Sequence, residues 1–285
     1  MDVEFIGQKI GVVVLNFIKY EETINCVNSL LSNTYTNIEI VVIDNGSGNE
    51  SVNVLNSQFR DYKNVYVLAL DSNIGYAKGN NKGISFLRSK GIENIFIANS
   101  DLVFPNSPVL EHMLKFIEEK DAVIVPTIKN PNGSYDQRVI YKKNLFILRM
   151  TKELIKSLIK NILGISIKAN VNYYISSDQN TKARIYDDCY VVSGSGFMLT
   201  KYFFNYYDGL FSKTFLYGEE CGTIILMNKA GLNSRVVNTE VIIHKGGAST
   251  PESIKGITRE RKKINMDSDI KLLKLLFSPP IKKKV

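Results

Sequence analysis

Apolar and polar positions alternate in blocks along the first 125 residues. Runs rich in Val, Ile and Leu stop abruptly on polar side chains, and most are followed by a stretch with apolar residues at helical spacing. The runs cover residues 11–16, 38–43, 65–70, 95–98 and 122–125. The first ends on Asn16, the second on Asp44-Asn45-Gly46-Ser47, the third on Asp71-Ser72-Asn73 and the fourth on Asn99-Ser100-Asp101. Short apolar runs bounded in this way predict buried strands of a parallel sheet, although pattern alone does not exclude buried helix segments. Between them, Ile24, Val27, Leu30 and Leu31 predict a helix over 21–31, with Asn33 at its end. Val52, Leu55 and Phe59 give a weaker helical pattern, residues 75–87 a further helix with Gly91 beyond it, and Val109, Met113, Phe116 and Ile117 a helix over 105–119. Strand and helix thus alternate four times before a fifth strand, which predicts a doubly wound, Rossmann-like α/β sheet.

In such a sheet, ligands lie outside the carboxyl ends of the strands. Asn16, Asp44, Asn73 and Asp101 are all expected at that edge. A turn accounts for any one of them; four together predict a polar crevice. No GxGxxG follows the first strand and no GxxxxGK[ST] occurs, so neither a dinucleotide fingerprint nor a P-loop is present. Phosphates would then be held most simply through a divalent cation, which takes carboxylate oxygens, and Asp101 is the natural first ligand.

The second half is less regular. Residues 126–136 look like a loop, with Pro131-Asn132-Gly133 as a turn signal. Residues 138–168 are strongly basic, from Arg138 through Lys142, Lys143, Arg149, Lys152, Lys156 and Lys160 to Lys168, with Glu153 the only acid. Leu145, Phe146, Leu148, Leu154, Leu158, Ile159 and Ile162 are interleaved. A basic amphipathic helix suits an anionic membrane surface; it equally suits a helix packed on the body with its lysines in water. Around Gly194, small residues flanked by apolar ones suit close backbone approach to a ligand, or a tight turn. Glu219 and Glu220 open a helical stretch that Gly231 closes, where acids also complement the helix dipole. His244 follows an apolar strand and precedes Lys245-Gly246-Gly247-Ala248-Ser249. The tail, residues 252–285, is a second basic amphipathic stretch, halted by Pro279-Pro280.

Composition narrows the partners. The 285 residues carry a formal charge of +8, with 44% hydrophobic and 22% charged residues. A globular chain with anionic partners is expected. The basic regions hold few aromatics arranged for base stacking, so nucleic acid is not an expected partner. No run of about 18 apolar residues occurs. Met1-Asp2-Val3-Glu4 is acidic where a signal peptide would be basic, so a cytoplasmic location is expected. Cys26, Cys189 and Cys221 form no CxxC pair and read as buried small hydrophobes.

Three motifs, taken in order, resemble family 2 glycosyltransferases, and the rhamnosyltransferase-like branch most closely. They are Val41-Val42-Ile43-Asp44-Asn45-Gly46-Ser47, Asn73-Ile74-Gly75-Tyr76-Ala77-Lys78-Gly79-Asn80-Asn81-Lys82-Gly83, and Asn99-Ser100-Asp101. The resemblance covers about residues 9–249. It implies a GT-A fold, with residues 1–125 as the nucleotide-sugar half, 126–250 as the acceptor and catalytic half, and 251–285 as a tail. It implies an inverting transfer from a nucleotide-diphosphate sugar to a saccharide or lipid-linked saccharide, in surface polysaccharide synthesis, aided by Mn²⁺ or Mg²⁺. Carried over by position, Asn16, Asp44, Asn73, Gly75, Lys78, Asn99, Asp101 and Gly194 lie on the donor side. Asp101 and His244 would hold the metal, Glu219 would face the acceptor and Glu220 would be the general base. Asn99 stands where the family's first metal-motif Asp is usual, which leaves the metal to Asp101 and a ligand from elsewhere. Glu220 stands for the usual Asp, Gly222 for an Asp and Leu226 for an Arg. Two other readings are a nucleotide-sugar binder without transfer and a membrane-surface scaffold; a sugar nucleotidyltransferase would need a Gly-rich loop after the first strand, where Asn16-Phe17-Ile18-Lys19-Tyr20 has none.

Overall fold

The computed structural model describes residues 7–136, 138–163, 188–246, 259–280 and 282–284. The acidic start Met1–Glu4, Lys168, Gly247-Ala248-Ser249 and residues 252–258 of the tail lie outside the described residues.

The first half follows the predicted alternation: β1 (Ile10–Asn16), α1 (Tyr20–Leu31), β2 (Ile38–Asp44), α2 (Ser51–Phe59), β3 (Val65–Ala69), α3 (Tyr76–Ser89) and β4 (Asn94–Asn99). β5 (Leu102–Val103), α4 (Val109–Leu114), β6 (Asp121–Val125) and β7 (Ile128–Lys129) come next. β8 (Arg138–Lys142), α5 (Phe146–Leu163), β9 (Cys189–Ser193), β10 (Gly196–Leu199) and α6 (Lys201–Phe204) follow, then α7 (Glu219–Ala230), β11 (Asn233–Val236), β12 (Ile242–His244) and α8 (Arg259–Leu276).

Seven strands form one sheet in the order β11-β6-β10-β4-β1-β2-β3. It is mostly parallel; β10 runs antiparallel to both β4 and β6. Because side chains alternate along a strand, β1 sends Val12 and Val14 to one core and Val13 to the other. α1, α2 and α4 cover the first face through Leu30, Leu55 and Met113. α3 and α7 cover the second through Ile84, Leu87 and Ile225. Gly83 lets α3 lie close on the sheet, since a Cβ there would sit 2.5 Å from a Val13 methyl.

Several expectations are corrected. The helix predicted to Glu119 ends at Leu114, and Phe116 is exposed. There the Asp121 carboxylate accepts from the Glu118 amide at 3.0 Å, and Lys120 takes a positive φ of 70°, so the chain turns into β6. α1 is capped by Ser32 rather than Asn33. The 126–136 loop contains β7 and a bridge from Lys129 to Tyr135. The basic run is not one helix: Arg138–Lys142 is a strand paired antiparallel with β9, and Leu145, φ 55°, separates it from α5. The three cysteines are free and buried, as expected.

α5 packs against α8, and Asp269 of α8 is buried at that contact. Burial raises its carboxyl to about 6, against a hydrogen bond from Ser157 that lowers it. A folded pKa above the unfolded one means stability that is full below about pH 4 and is lost as pH rises toward 6. Asp269→Asn is therefore expected to raise unfolding stability at pH 7–8 by on the order of 1–2 kcal/mol, discounted for partial exposure, with no gain below pH 4. Thermal unfolding across pH checks this.

Candidate active site

The strand register sets the site. Asn16 pairs with Asp44 across β1 and β2, and Leu15 with Asn99 across β1 and β4, so these polar ends share one edge. Asn73 lies beyond the end of β3, and Asp101 in the turn after β4. Asn16 is fully buried. It donates to Asp44 Oδ2 at 2.6 Å and to Ser47 Oγ at 3.2 Å, and accepts from Thr23 Oγ1 at 2.6 Å. Asp44 also accepts from the Ser47 amide at 3.0 Å and its hydroxyl at 2.5 Å. Both side chains thus brace the loop after β2. Asn73 Oδ1 accepts from Asn45 Nδ2 and from the Gly75 amide, each at 3.0 Å, which shapes the entry to α3. Lys78 is exposed in the first turn of that helix.

Gly75 joins the two halves of the chain. Its φ is 93°, and a Cβ would lie 2.4 Å from the Phe215 carbonyl oxygen. That oxygen accepts from the Tyr76 amide at 3.1 Å. A side chain at this position would push apart the α3 entry and the turn that carries the glutamates.

Asp101 and His244 come together because β12 pairs antiparallel with β5, setting His244 against Leu102. His244 Nε2 is 3.3 Å from Asp101 Oδ1, and Nδ1 is 3.1 Å from Asp136 Oδ1. Asp101 is only 2% exposed. Burial alone would lower the His244 pKa, but Asp101 and Asp136 outweigh it and raise it to about 10. The ring is therefore an imidazolium bridging two carboxylates. Asp136 did not stand out in the sequence. It is an isolated acid at the end of a loop, 108 positions from the histidine it meets.

The turn between β9 and β10 links this cluster to the acid pair. Ser195 Oγ donates to Asp136 Oδ2, and the Ser195 carbonyl accepts from the Asn99 amide at 2.9 Å. A Cβ on Gly194 would lie 2.4 Å from Glu220 Oε1, so a side chain there would displace that carboxylate from its present position. Glu219 is 8% exposed, and Oε1 has no hydrogen-bond partner among the described residues. Burial first, and then the charge of Glu220, push the Glu219 carboxyl up to about 8. Glu220 is half-buried, but the surrounding protein removes enough water to raise its carboxyl as well. Tyr76, also missed as a site residue, donates its hydroxyl to Asn99 Oδ1 at 3.2 Å. Burial, then Glu220, Glu219 and Asp101, raise its pKa, which keeps it a donor. Gly222 lies under Phe211 and Leu226 is in the core, so neither unusual residue reaches the cleft.

Two carboxyl groups, Asp101 and Asp136, thus flank one imidazolium, and the β9–β10 turn connects them to Glu219 and Glu220. Among the described residues, no three His, Cys, Asp or Glu side chains already converge as a metal cage. The donor types still fit a divalent cation: carboxylates are hard oxygen ligands, and imidazole ligates once it has lost its proton. An anionic diphosphate would be repelled from this edge unless positive charge were added.

The family model for glycosyl transferase family 2 matches residues 11–204. Over 119 residues, the chain is 33% identical to glycosyltransferase GlyG of Streptococcus pneumoniae serotype 4, covering 42% of this chain and 38% of that protein. It is 30% identical over 119 residues to an uncharacterized glycosyltransferase of Rickettsia bellii, covering 42% of this chain and 16% of that protein. The chain therefore spans well under half the length of these curated relatives. Among solved structures, a mannosyltransferase of Pyrobaculum calidifontis, in complex with GDP-Man and Mn²⁺, aligns over 94% of this chain and 72% of its own, with a TM-score of 0.53 and 10% identity. S. aureus TarS 1-349 aligns over 93% of this chain and 71% of its own, with a TM-score of 0.51 and 13% identity. These two likenesses bear on the fold, while the family model covers more than half of the sequence: the chain belongs to glycosyl transferase family 2 and has the GT-A fold.

Proposed function

We propose that this chain transfers a hexosyl or rhamnosyl unit from a nucleotide-diphosphate sugar to a hydroxyl of a saccharide or lipid-linked saccharide, with inversion, in surface polysaccharide synthesis. The observation that carries the reading is the approach of His244 to Asp101 at 3.3 Å, from distant parts of the sequence. Residues 1–125 would serve the donor, 126–250 the acceptor and the chemistry, and 251–285 would form the tail. The GDP-Man and Mn²⁺ of the P. calidifontis mannosyltransferase support the donor class and the metal.

In this reading Asn16, Asp44, Asn73, Gly75, Lys78 and Asn99 shape the nucleotide edge. Gly194 keeps the sugar side open. Asp101 and His244 would hold Mn²⁺ or Mg²⁺ on the Nε2 side of the ring, and Asp136, at Nδ1 on the other side, would orient the imidazole. When bound, the ion supplies positive charge for the departing diphosphate. Glu220 takes the proton of the acceptor hydroxyl as that oxygen bonds to the anomeric carbon and the bond from that carbon to the diphosphate oxygen breaks. Glu219, protonated near neutral pH, offers the acceptor a hydrogen bond rather than a second charge.

The test is release of nucleoside diphosphate from a panel of nucleotide sugars with Mn²⁺ and saccharide acceptors, with the product anomer read by NMR. An inverted product is expected. A retained one overturns the single displacement. Donor binding without any transfer would instead favour the non-catalytic binder, a reading prompted by the absence of Gly222 and Leu226 from the cleft.

A further inference from the structure

α5 carries two apolar stripes. Phe146, Met150 and Leu154 form the buried one. Leu148, Ile155, Ile159 and Ile162 form the other, spaced at 7, 4 and 3 residues, and are 64%, 44%, 46% and 66% exposed. A helix that packs by one face alone would be polar on the opposite face. Arg149, Lys152, Lys156 and Lys160 flank the exposed stripe along one side. The helix has a single acid, Glu153, half-buried and paired with Lys156 at 3.2 Å. At its amino end the stripe opens into a groove of about 560 Å³ lined by Leu145, Ile147, Leu148 and Phe277.

Two kinds of occupant fit an apolar stripe, and the charges choose between them. A second copy related by a two-fold axis would set the same patch against itself. Arg149, Lys152, Lys156 and Lys160 would then face their own copies, and like charges at an interface are unfavourable. An anionic surface pairs with all four at once. Lysine stems can also lie along apolar surface while their ammonium groups reach outward. Among the described residues no helix is long and apolar enough to cross a membrane, so the arrangement is that of a helix lying in the interface plane.

We propose that the outer face of α5 docks on an anionic lipid bilayer, with Leu148, Ile155, Ile159 and Ile162 at the boundary of headgroups and acyl chains and the four cations on the lipid phosphates. The inference rests on the surface of α5 and not on the transferase reading. The test is co-sedimentation of the full chain with phosphatidylglycerol–phosphatidylcholine vesicles and with phosphatidylcholine alone. Affinity for the anionic vesicles is expected to be at least about tenfold higher, and to fall at high salt. The triple variant Leu148→Ser, Ile155→Ser, Ile159→Ser and the pair Lys152→Glu, Lys156→Glu are each expected to lose binding with an unchanged melting temperature, since all five side chains are exposed. No binding to anionic vesicles overturns the proposal, as does binding that survives both variants. Light scattering that finds a dimer abolished by the triple serine variant assigns the stripe to a second copy and overturns it too.

Discussion

Replacing Glu220 by Gln is expected to lower turnover by about 10²–10⁴-fold while leaving affinity for the nucleotide sugar unchanged, the usual contribution of a positioned general base. Glutamine nearly matches glutamate in shape, so the close approach to Gly194 is preserved. The amide cannot accept the acceptor's proton. Loss of the Glu220 charge also removes one cause of the raised Glu219 pKa, so the fold is not expected to suffer. The pH profile separates a base from a structural residue. Burial raises the Glu220 carboxyl, so the acidic limb of kcat/KM should lie above the ordinary glutamate range and activity should rise as the carboxylate forms. In the Gln variant that limb should vanish. Turnover within about threefold of the native value would remove Glu220 from the role.

Replacing Asp101 by Asn is expected to weaken Mn²⁺ binding by about 10²-fold or more, since even residues that only orient a metal ligand are typically worth 10–100-fold. The amide keeps the volume and loses the charge. The backbone tie is independent of the substitution, because the Asp101 carbonyl, not its side chain, accepts from the Lys245 amide at 3.0 Å. Manganese titration followed by electron paramagnetic resonance reads the ion without needing turnover. Asp136→Asn should weaken the ion in the same direction but less, because Asp136 Oδ1 holds Nδ1 of the ring whose Nε2 faces Asp101 and so acts by orienting the ligand. Native-like Mn²⁺ affinity in both variants would place the ion elsewhere.

The first half of the fold was legible because β1, β2, β4 and β6 are buried on both faces. Runs such as Val12-Val13-Val14 and Ile95-Phe96-Ile97 are continuous, β-branched and stopped by polar residues. What the sequence hid was long-range. Gly196–Leu199 is a four-residue apolar strand, and nothing local sets it antiparallel between β4 and β6. Arg138–Lys142 read as helix because its basic residues continue into α5; its partner in β9 lies about 50 positions away. The end of α4 depended on a side-chain bond from Asp121 that competes with the helix. In the site, Asp101, Glu220 and His244 were singled out because each sits in a motif or at a strand end. Asp136 and Tyr76 were not, because what marks them is the neighbour each acquires on folding, His244 in one case and Asn99 in the other. Asn16 and Asp44 were visible as polar strand ends, but the hydrogen bonds that lock them together could not be read from the chain.

Isothermal titration of the native protein with nucleoside diphosphates and their sugars, with and without Mn²⁺, is the most direct measurement. The paired carboxylates Asp101 and Asp136 should disfavour a diphosphate when no metal is present and accept it when Mn²⁺ is supplied, with the gain gone in Asp101→Asn. Equal affinity in both conditions, or a gain that survives that substitution, would contradict a cation-dependent donor site at Asp101 and His244.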